Sequence, residues 1–353
     1  MNDNQISIIG GGIAGLATAI AAAKLGRTVT VYEKAETFDP VGAGLQLGPN
    51  AVRALKAIGA WDAVEPYTSS PPAICMRDGR TGKVLKQIKL GKNFESRFGQ
   101  PYRVALRANL HFALLSVANQ HSAIEIKLRQ NIQVANLDQF HQIIAADGIA
   151  SATRKKSFPS SAPIKANDVA YRSLFQAPAV AGLDMSCVNL WLCSGGHVVH
   201  YPVGQKQNLN VVAVTKNVPP QHQFAKAASA LCEIIFASPA WTPWPLAHVP
   251  PLRAWSKGNI TLVGDAAHGT LPYLAQGAAM ALEDAAVLAE TNFNMEKFYS
   301  ERAARCAKLH QRSVNAGKIY HLSGPAATAR NLALALMPER SFLSGLNWLY
   351  AGP

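Results

Sequence analysis

The chain has 353 residues, 49% of them hydrophobic, which is enough for two core-bearing domains and too apolar for a disordered chain. Its formal net charge of +13 favours anionic partners such as nucleotides, acidic substrates, nucleic acid or a membrane surface, but charge alone does not choose among them. No run of about 18 apolar residues escapes a charge or a Gly/Pro break, no run of like charge exceeds residues 154–156, and the five scattered cysteines lack any CxxC spacing; a spanning helix, an RNA-reading segment, a metal site and a disulfide framework are therefore not indicated.

The first five residues, "MNDNQ", carry an acid and no base, the wrong polarity for a secretory leader, so a cytoplasmic chain with free thiols is expected. Ile6, Ile8 and Ile9 then mark a strand, Gly10, Gly12 and Gly15 fill the G-x-G-x-x-G positions, and residues 14–25 read as a helix of small side chains. "TVTVYE" is the next strand and ends on Glu33, about 20 residues beyond the glycines, where a carboxylate accepts both hydroxyls of an adenosine ribose. A glycine-rich turn in an ordinary βαβ unit would show the same glycines. Strand, helix, second strand and acid in register favour a dinucleotide site.

"GAGLQLGPNAVRALKAIGAW" is a glycine-rich segment followed by an amphipathic helix that Pro49 or Asn50 starts; it suits a plain connection as well as a cofactor contact. Residues 71–100 read as hairpin-like, "LRANLHFALLSVANQ" as a helix, and "QIIAADG" as a strand ending at Asp147-Gly148. Residues 169–214 turn β-rich, unlike the alanine-rich helices on either side. "NITLV" is a short buried strand that stops at Gly264, placing Asp265 at a strand's C-terminal edge, where open α/β sheets bind ligands. Gly277 opens the helix that follows, and partial positive charge collects at such a terminus, so the stretch suits an electron-rich ligand. The chain is largely helical after Glu296.

The expected fold is α/β: a Rossmann-type dinucleotide-binding domain from residues 1–70, 97–165 and 251–310, an inserted β-rich substrate domain from 71–96 and 166–250, and a helical C-terminal segment at 311–353.

Three motifs stand in order, "GGGIAG", "AADGIASATR" and "LVGDAAHGTLPYLAQG". Together they resemble those of the single-component FAD-dependent aromatic hydroxylases, the group of 4-hydroxybenzoate, salicylate, 3-hydroxybenzoate and 6-hydroxynicotinate monooxygenases. "YRVALRANL", "AYRS", "HVVHYPVG" and the tail "YHLSGPAATARN" are similar to the salicylate and 6-hydroxynicotinate branch. The resemblance implies reduction of FAD by NADH or NADPH, capture of O₂ as a flavin C4a-hydroperoxide, and oxygen transfer to an electron-rich aromatic or heteroaromatic ring. It implies that Gly10, Gly12, Gly15 and Glu33 hold the ADP half of FAD, that Arg107 contacts the cofactor, and that Asp265 bonds the ribityl chain. Gln276 and Gly277 would approach flavin N1 and O2, Pro272 would lie against the ring system, and Asp147, Gly148 and Arg154 would form the motif used near the pyrophosphate and in using NAD(P)H.

Hydroxylation needs a base to raise ring electron density and a site that excludes water. His197 and Tyr201 share a face of a strand by period-2 alternation while His200 faces away. They match the His and Tyr that line the pocket in the 3-hydroxybenzoate and 6-hydroxynicotinate enzymes. A hydrogen-bonded structural histidine in a sheet remains the alternative for His197. Arg172 is a candidate partner for a substrate carboxylate, or else a solvated charge near a sheet edge, and His268 is expected to cap or pack at its helix start. Pro272 stands where some relatives carry Gln or His, Gln46 where nicotinate-type enzymes carry His, and residues 128–144 leave room only for a truncated form of the β-meander that relatives have there.

The expected partners are a small aromatic ring and O₂, with no nucleic acid and no membrane span, in a monomer or homodimer. A related flavoprotein acting on a urate-type purine or a quinone precursor, an FAD-binding protein without hydroxylase turnover, and a basic surface docking beside the flavin site stand as rival readings.

Overall fold

The strand Gln5–Ile9 lies inside a six-stranded sheet whose order is Ser256–Lys257, Ile260–Leu262, Ile143–Ala145, Gln5–Ile9, Thr28–Tyr32, Ile124–Lys127. Every neighbouring pair is parallel except Ser256–Lys257 with Ile260–Leu262, and Gln5 stands opposite Thr28 while Ser7 stands opposite Ile143. The computed structural model describes residues 4–38, 43–132, 134–159, 161–204 and 208–352, so Gly42, at the head of the glycine-rich segment, and the first three residues of the N-terminus lie outside the described residues. Ile6, Ile8, Val29, Val31, Ile143 and Ile144 are fully buried, the near-continuous apolar reading of a parallel sheet covered on both faces.

Helices Ile13–Lys24, Pro49–Ile58, Arg107–Gln120 and Gly277–Glu290 share one apolar cluster rich in alanine: Ala17, Ala21, Ala51, Ala113, Ala279 and Ala285 are buried where the axes meet. Small side chains let several helices converge on one edge of the sheet. The closest approach is at Gly15, where a Cβ would come 1.9 Å from the Gly10 carbonyl oxygen. Only glycine allows it.

A seven-stranded sheet follows the order Thr242–His248, Ile164–Gln176, Asn208–Thr215, Gly196–Val203, Val188–Cys193, Ala73–Asp78, Val84–Lys89. Helix Ser229–Ala237 covers one face, with Leu231, Ile234 and Ile235 against Trp191, Val198 and Val211. The other face meets the turn Pro272–Leu274 and the 26-residue helix Met295–Tyr320 through Ala170, Val214, Leu246, Tyr273 and Ala316.

Three elements differ from the sequence reading. The hairpin expected over 71–100 ends at Lys89, and helix Lys92–Phe98 follows, burying Phe94 and Phe98; seven residues are too few to show a helical period. The strand Thr242–His248 was not foreseen because Pro243 and Pro245 interrupt it, yet it is an edge strand, where a missing N–H costs little. Between Lys127 and Ile143 the described residues form no strand. A 3₁₀ helix, Val134–Gln139, takes the place of the truncated meander, and Asn259 pins its end by donating to the Phe140 carbonyl at 2.6 Å. No helix among the described residues is long and apolar enough to cross a membrane.

Candidate active site

Three loops meet at the C-terminal edge of the parallel sheet. A Cβ at Gly10 (φ +104°) would lie 2.5 Å from the Ala146 carbonyl oxygen, and one at Gly264 (φ +57°) 2.8 Å from the Ala14 Cβ, so the loops after Ile9, Ala145 and Leu262 touch. Glu33 folds back onto the first of them: its Oε2 accepts from the Gly11 amide at 2.7 Å and its Oε1 from the Ala35 amide at 2.9 Å. Arg154, 1% exposed, does not reach outward from this edge. Its guanidinium donates to the carbonyls of Ser161, Ile149, Ala266 and Asp265, while Ser151 caps its helix by accepting from the Arg154 amide at 2.8 Å.

Beside these loops are groups that lack protein partners. A Cβ at Gly12, Gly148 or Gly277 would meet no atom within 4 Å, and Asp147 Oδ1 and Thr270 Oγ1 are buried without a hydrogen bond. Asp265 is solvent-accessible yet surrounded by protein; burial pushes its carboxyl up from the ordinary value against the pull of His268 and Arg107. Gln276 precedes the 14-residue helix Gly277–Glu290, whose N-terminus has no side-chain cap. Open space along glycine backbone, orphan acceptors and a free helix N-terminus suit a ligand rich in phosphate, hydroxyl and carbonyl oxygen.

A buried charge network, which the sequence reading missed, fixes that helix. Arg302, fully buried, donates to Asp284 Oδ1 at 2.9 Å and to Glu283, and Arg305 holds both Glu283 oxygens at 2.7 Å. Asp284 Oδ2 also accepts from the Gly264 amide at 2.8 Å and pairs with His268 Nε2 at 2.6 Å; His268, expected at a helix start, is instead the last residue of helix Asp265–His268 and packs against the middle of Gly277–Glu290. Burial raises both carboxyls, but the cations and hydrogen bonds around them outweigh it and hold Glu283 and Asp284 below their ordinary values. The available signal was two adjacent acids in the middle of an alanine-rich helix. Ligand atoms of His268, Asp284 and Cys306 lie within 4.8 Å of one another, but the Arg302 guanidinium already supplies the cation there.

The seven-stranded sheet contributes the opposite wall. His197 packs its ring against Tyr273 and Tyr320, and Tyr201 is 3% exposed beside Gln46 and Arg172, both on the face away from the Trp191 cluster. His200 lies on the other face, stacked on Trp191 with neither ring nitrogen hydrogen-bonded; burial lowers its pKa to about 3. Burial, then the neighbouring His321, keeps His197 well below the ordinary histidine value. The Tyr102 hydroxyl donates to Gln46. Arg172 stands on the second strand, not at the sheet edge, with its guanidinium 4.8 Å from the Trp244 ring centroid and no hydrogen bond or ion pair among the described residues. Burial, then Arg107, lowers its pKa, and the same Arg107 bears on the Asp265 carboxyl. Pro272 is exposed.

Residues 5–46 match the family of FAD dependent oxidoreductases, and residues 139–303 match the FAD binding domain. A 3-hydroxybenzoate 6-hydroxylase of Polaromonas naphthalenivorans (strain CJ2) is 32% identical over 391 residues, covering 99% of this chain and 97% of that protein. The chain belongs to the FAD-dependent aromatic hydroxylases, monooxygenases with FAD as cofactor. Among solved structures, Klebsiella pneumoniae HpxO complexed with FAD and uric acid superposes with a TM-score of 0.85 at 21% identity, covering 99% of this chain and 97% of that one. A salicylate hydroxylase substrate complex gives a TM-score of 0.80 at 24% identity, covering 98% and 95%.

Proposed function

We propose that this monooxygenase hydroxylates a ring bearing both a hydroxyl and a carboxylate, using O₂ and NADH or NADPH. The observation that carries the reading is Arg172, a partly buried guanidinium over the Trp244 ring with no ion pair among the described residues, near enough to Arg107 and Tyr201 for their charges to bear on it. An anion there gains a charge-assisted, bidentate partner. The 3-hydroxybenzoate 6-hydroxylase supports the same chemical class, since 3-hydroxybenzoate carries both groups.

In this reading the segments of the parallel sheet hold FAD and the seven-stranded sheet holds the ring. Gly10, Gly12, Gly15 and Glu33 would hold the ADP half; Asp147 and Gly148 would face the pyrophosphate, with Arg154 bracing their loop; Asp265 and Arg107 would hold the ribityl and phosphate region. Pro272, Gln276 and Gly277 would border the flavin ring. FAD, when bound, supplies electron transfer from NAD(P)H and activation of O₂. The N-terminus of Gly277–Glu290 has no side-chain cap, and its N–H groups and partial positive charge would favour negative charge on a bound ring by about 0.3–2 kcal/mol. Tyr201 orients the ring hydroxyl and Arg172 the carboxylate. His197, neutral because of its burial, accepts the hydroxyl proton and raises ring electron density.

The test is NADH and NADPH oxidation in air by the FAD-loaded protein against hydroxylated benzoates, hydroxylated nicotinates and purines, with H₂O₂ quantified. Acceleration by a hydroxylated acid with little peroxide is expected. Coupling only to a purine, or peroxide with every ring, would overturn the carboxylate reading.

A further inference from the structure

His197 does not end in packing. Its Nδ1 lies 2.8 Å from Nε2 of His321, at the end of helix Met295–Tyr320, and Nδ1 of His321 lies 3.7 Å from Asp168 Oδ2. Asp168 is held in turn by the Tyr273 hydroxyl, which donates to the same oxygen at 2.6 Å. Burial and this hydrogen bond push the Tyr273 hydroxyl far above its ordinary pKa, so it stays a donor. The parts are built to meet. Asp168 stands in the irregular stretch of its strand, where pairing with Thr242–His248 shifts between Lys165 and Val169, and Gly317 makes room for the Tyr273 ring, which a Cβ would approach to 2.5 Å.

Two proton arrangements satisfy the His197–His321 contact, and Asp168 distinguishes them. If His321 donated from Nε2, its bare Nδ1 lone pair would face a carboxylate. If His197 donates from Nδ1, His321 accepts at Nε2 and carries its own proton on Nδ1, toward Asp168. The second places hydrogen wherever an acceptor stands. It leaves Nε2 of His197 without a proton and without a partner among the described residues.

We infer that Asp168 and His321 are positioning residues that hold His197 in its Nδ1–H tautomer, so that Nε2 accepts the proton of a ring hydroxyl and the resulting charge passes to His321. The role rests on the reading of His197 as the base. The proton leaves the ring hydroxyl for His197 Nε2, and the Nδ1 proton moves to His321 Nε2. The products are a ring oxyanion, a neutral His197 and a His321 imidazolium facing the Asp168 carboxylate. Burial, and after it Lys216 and Arg330, hold His321 below the ordinary histidine value and oppose that charge, so Asp168, the one anion among the described groups acting on it, is what favours it. A buried imidazole that resists protonation thereby passes the charge to a neighbour with a counter-ion.

The test is long-range ¹H–¹⁵N spectroscopy of the FAD-loaded protein with ¹⁵N-labelled histidine, the His197 signals being assigned with His197→Gln. A neutral His197 protonated on Nδ1 is expected near pH 7.5, shifting toward the Nε2–H form in Asp168→Asn and partly in Tyr273→Phe. Tyr273→Phe serves if Asp168→Asn does not fold. A wild-type His197 protonated on Nε2, or a tautomer indifferent to both substitutions, overturns the inference. Undiminished hydroxylation in His197→Gln, on whichever ring couples in the oxidation assay, would instead sink the base assignment while the tautomer result stood, so the two failures are distinguishable.

Discussion

The Asn50 amide donates to Gln276 Oε1 at 2.9 Å, joining residues 226 positions apart, and the same Nδ2 reaches Glu283 at 2.7 Å. The residue before the glycine-opened helix is therefore held by a helix from the first third of the chain. Through Glu283 both are tied to Arg302 and Arg305. The position of that helix N-terminus is set by buried charge as much as by apolar packing.

Arg302→Met leaves Glu283 and Asp284 buried with one cation removed. Loss of about 3–5 kcal/mol is expected, since an uncompensated buried charge costs more than the pair contributes. Urea unfolding of the apoprotein at pH 7 measures it, and a midpoint equal to wild type would show that Arg305 and His268 carry the carboxylates alone.

The same carboxylates set an acid limit. Both are held below their ordinary values in the folded chain, against about 4 when unfolded, so they stabilise the fold above about pH 4 and the contribution is lost as pH falls through their lower folded values. The urea midpoint should drop steeply below about pH 4 in wild type and less steeply in Arg302→Met. Parallel curves would remove the pair from acid stability.

Gly12 and Gly15 should separate binding from folding. A side chain at Gly12 meets no protein atom within 4 Å, whereas at Gly15 it would strike the Gly10 carbonyl. Gly12→Val is expected to keep its far-ultraviolet circular dichroism and lose its yellow colour; Gly15→Val should unfold or aggregate. A yellow Gly12→Val protein would place FAD elsewhere.

Arg172→Met removes the unpaired guanidinium, and with it the contact to the Trp244 ring, while keeping an unbranched apolar side chain. A hydrogen bond to a charged group contributes about 1.5–3 kcal/mol, so KM for a carboxylated ring should rise roughly ten- to hundredfold with FAD content unchanged. An unaltered KM would make Arg172 a structural partner of Trp244 only.

The three loops were legible in the sequence because each is local: a strand, then Gly or Asp-Gly, then a helix, within a dozen residues. The shared face of His197 and Tyr201 was equally legible, since alternation along a strand is a property of the strand itself. What escaped depends on distant chain. Nothing beside Asp168 points to His321, Glu283 shows its cations only once helix Met295–Tyr320 packs back against it, and Arg154 reads from its motif as a cofactor contact although its guanidinium faces carbonyls. The prolines of Thr242–His248 hid a strand that only an edge position permits.

Arg154 has a dynamic consequence. One guanidinium bonds carbonyls in the loop after Ala145 and in the loop after Leu262, segments more than a hundred residues apart. Neither can open without withdrawing hydrogen bonds from the other. The backbone amides of both should exchange with deuterated solvent at a common rate, as one cooperative unit, and neither loop serves as an independently moving lid.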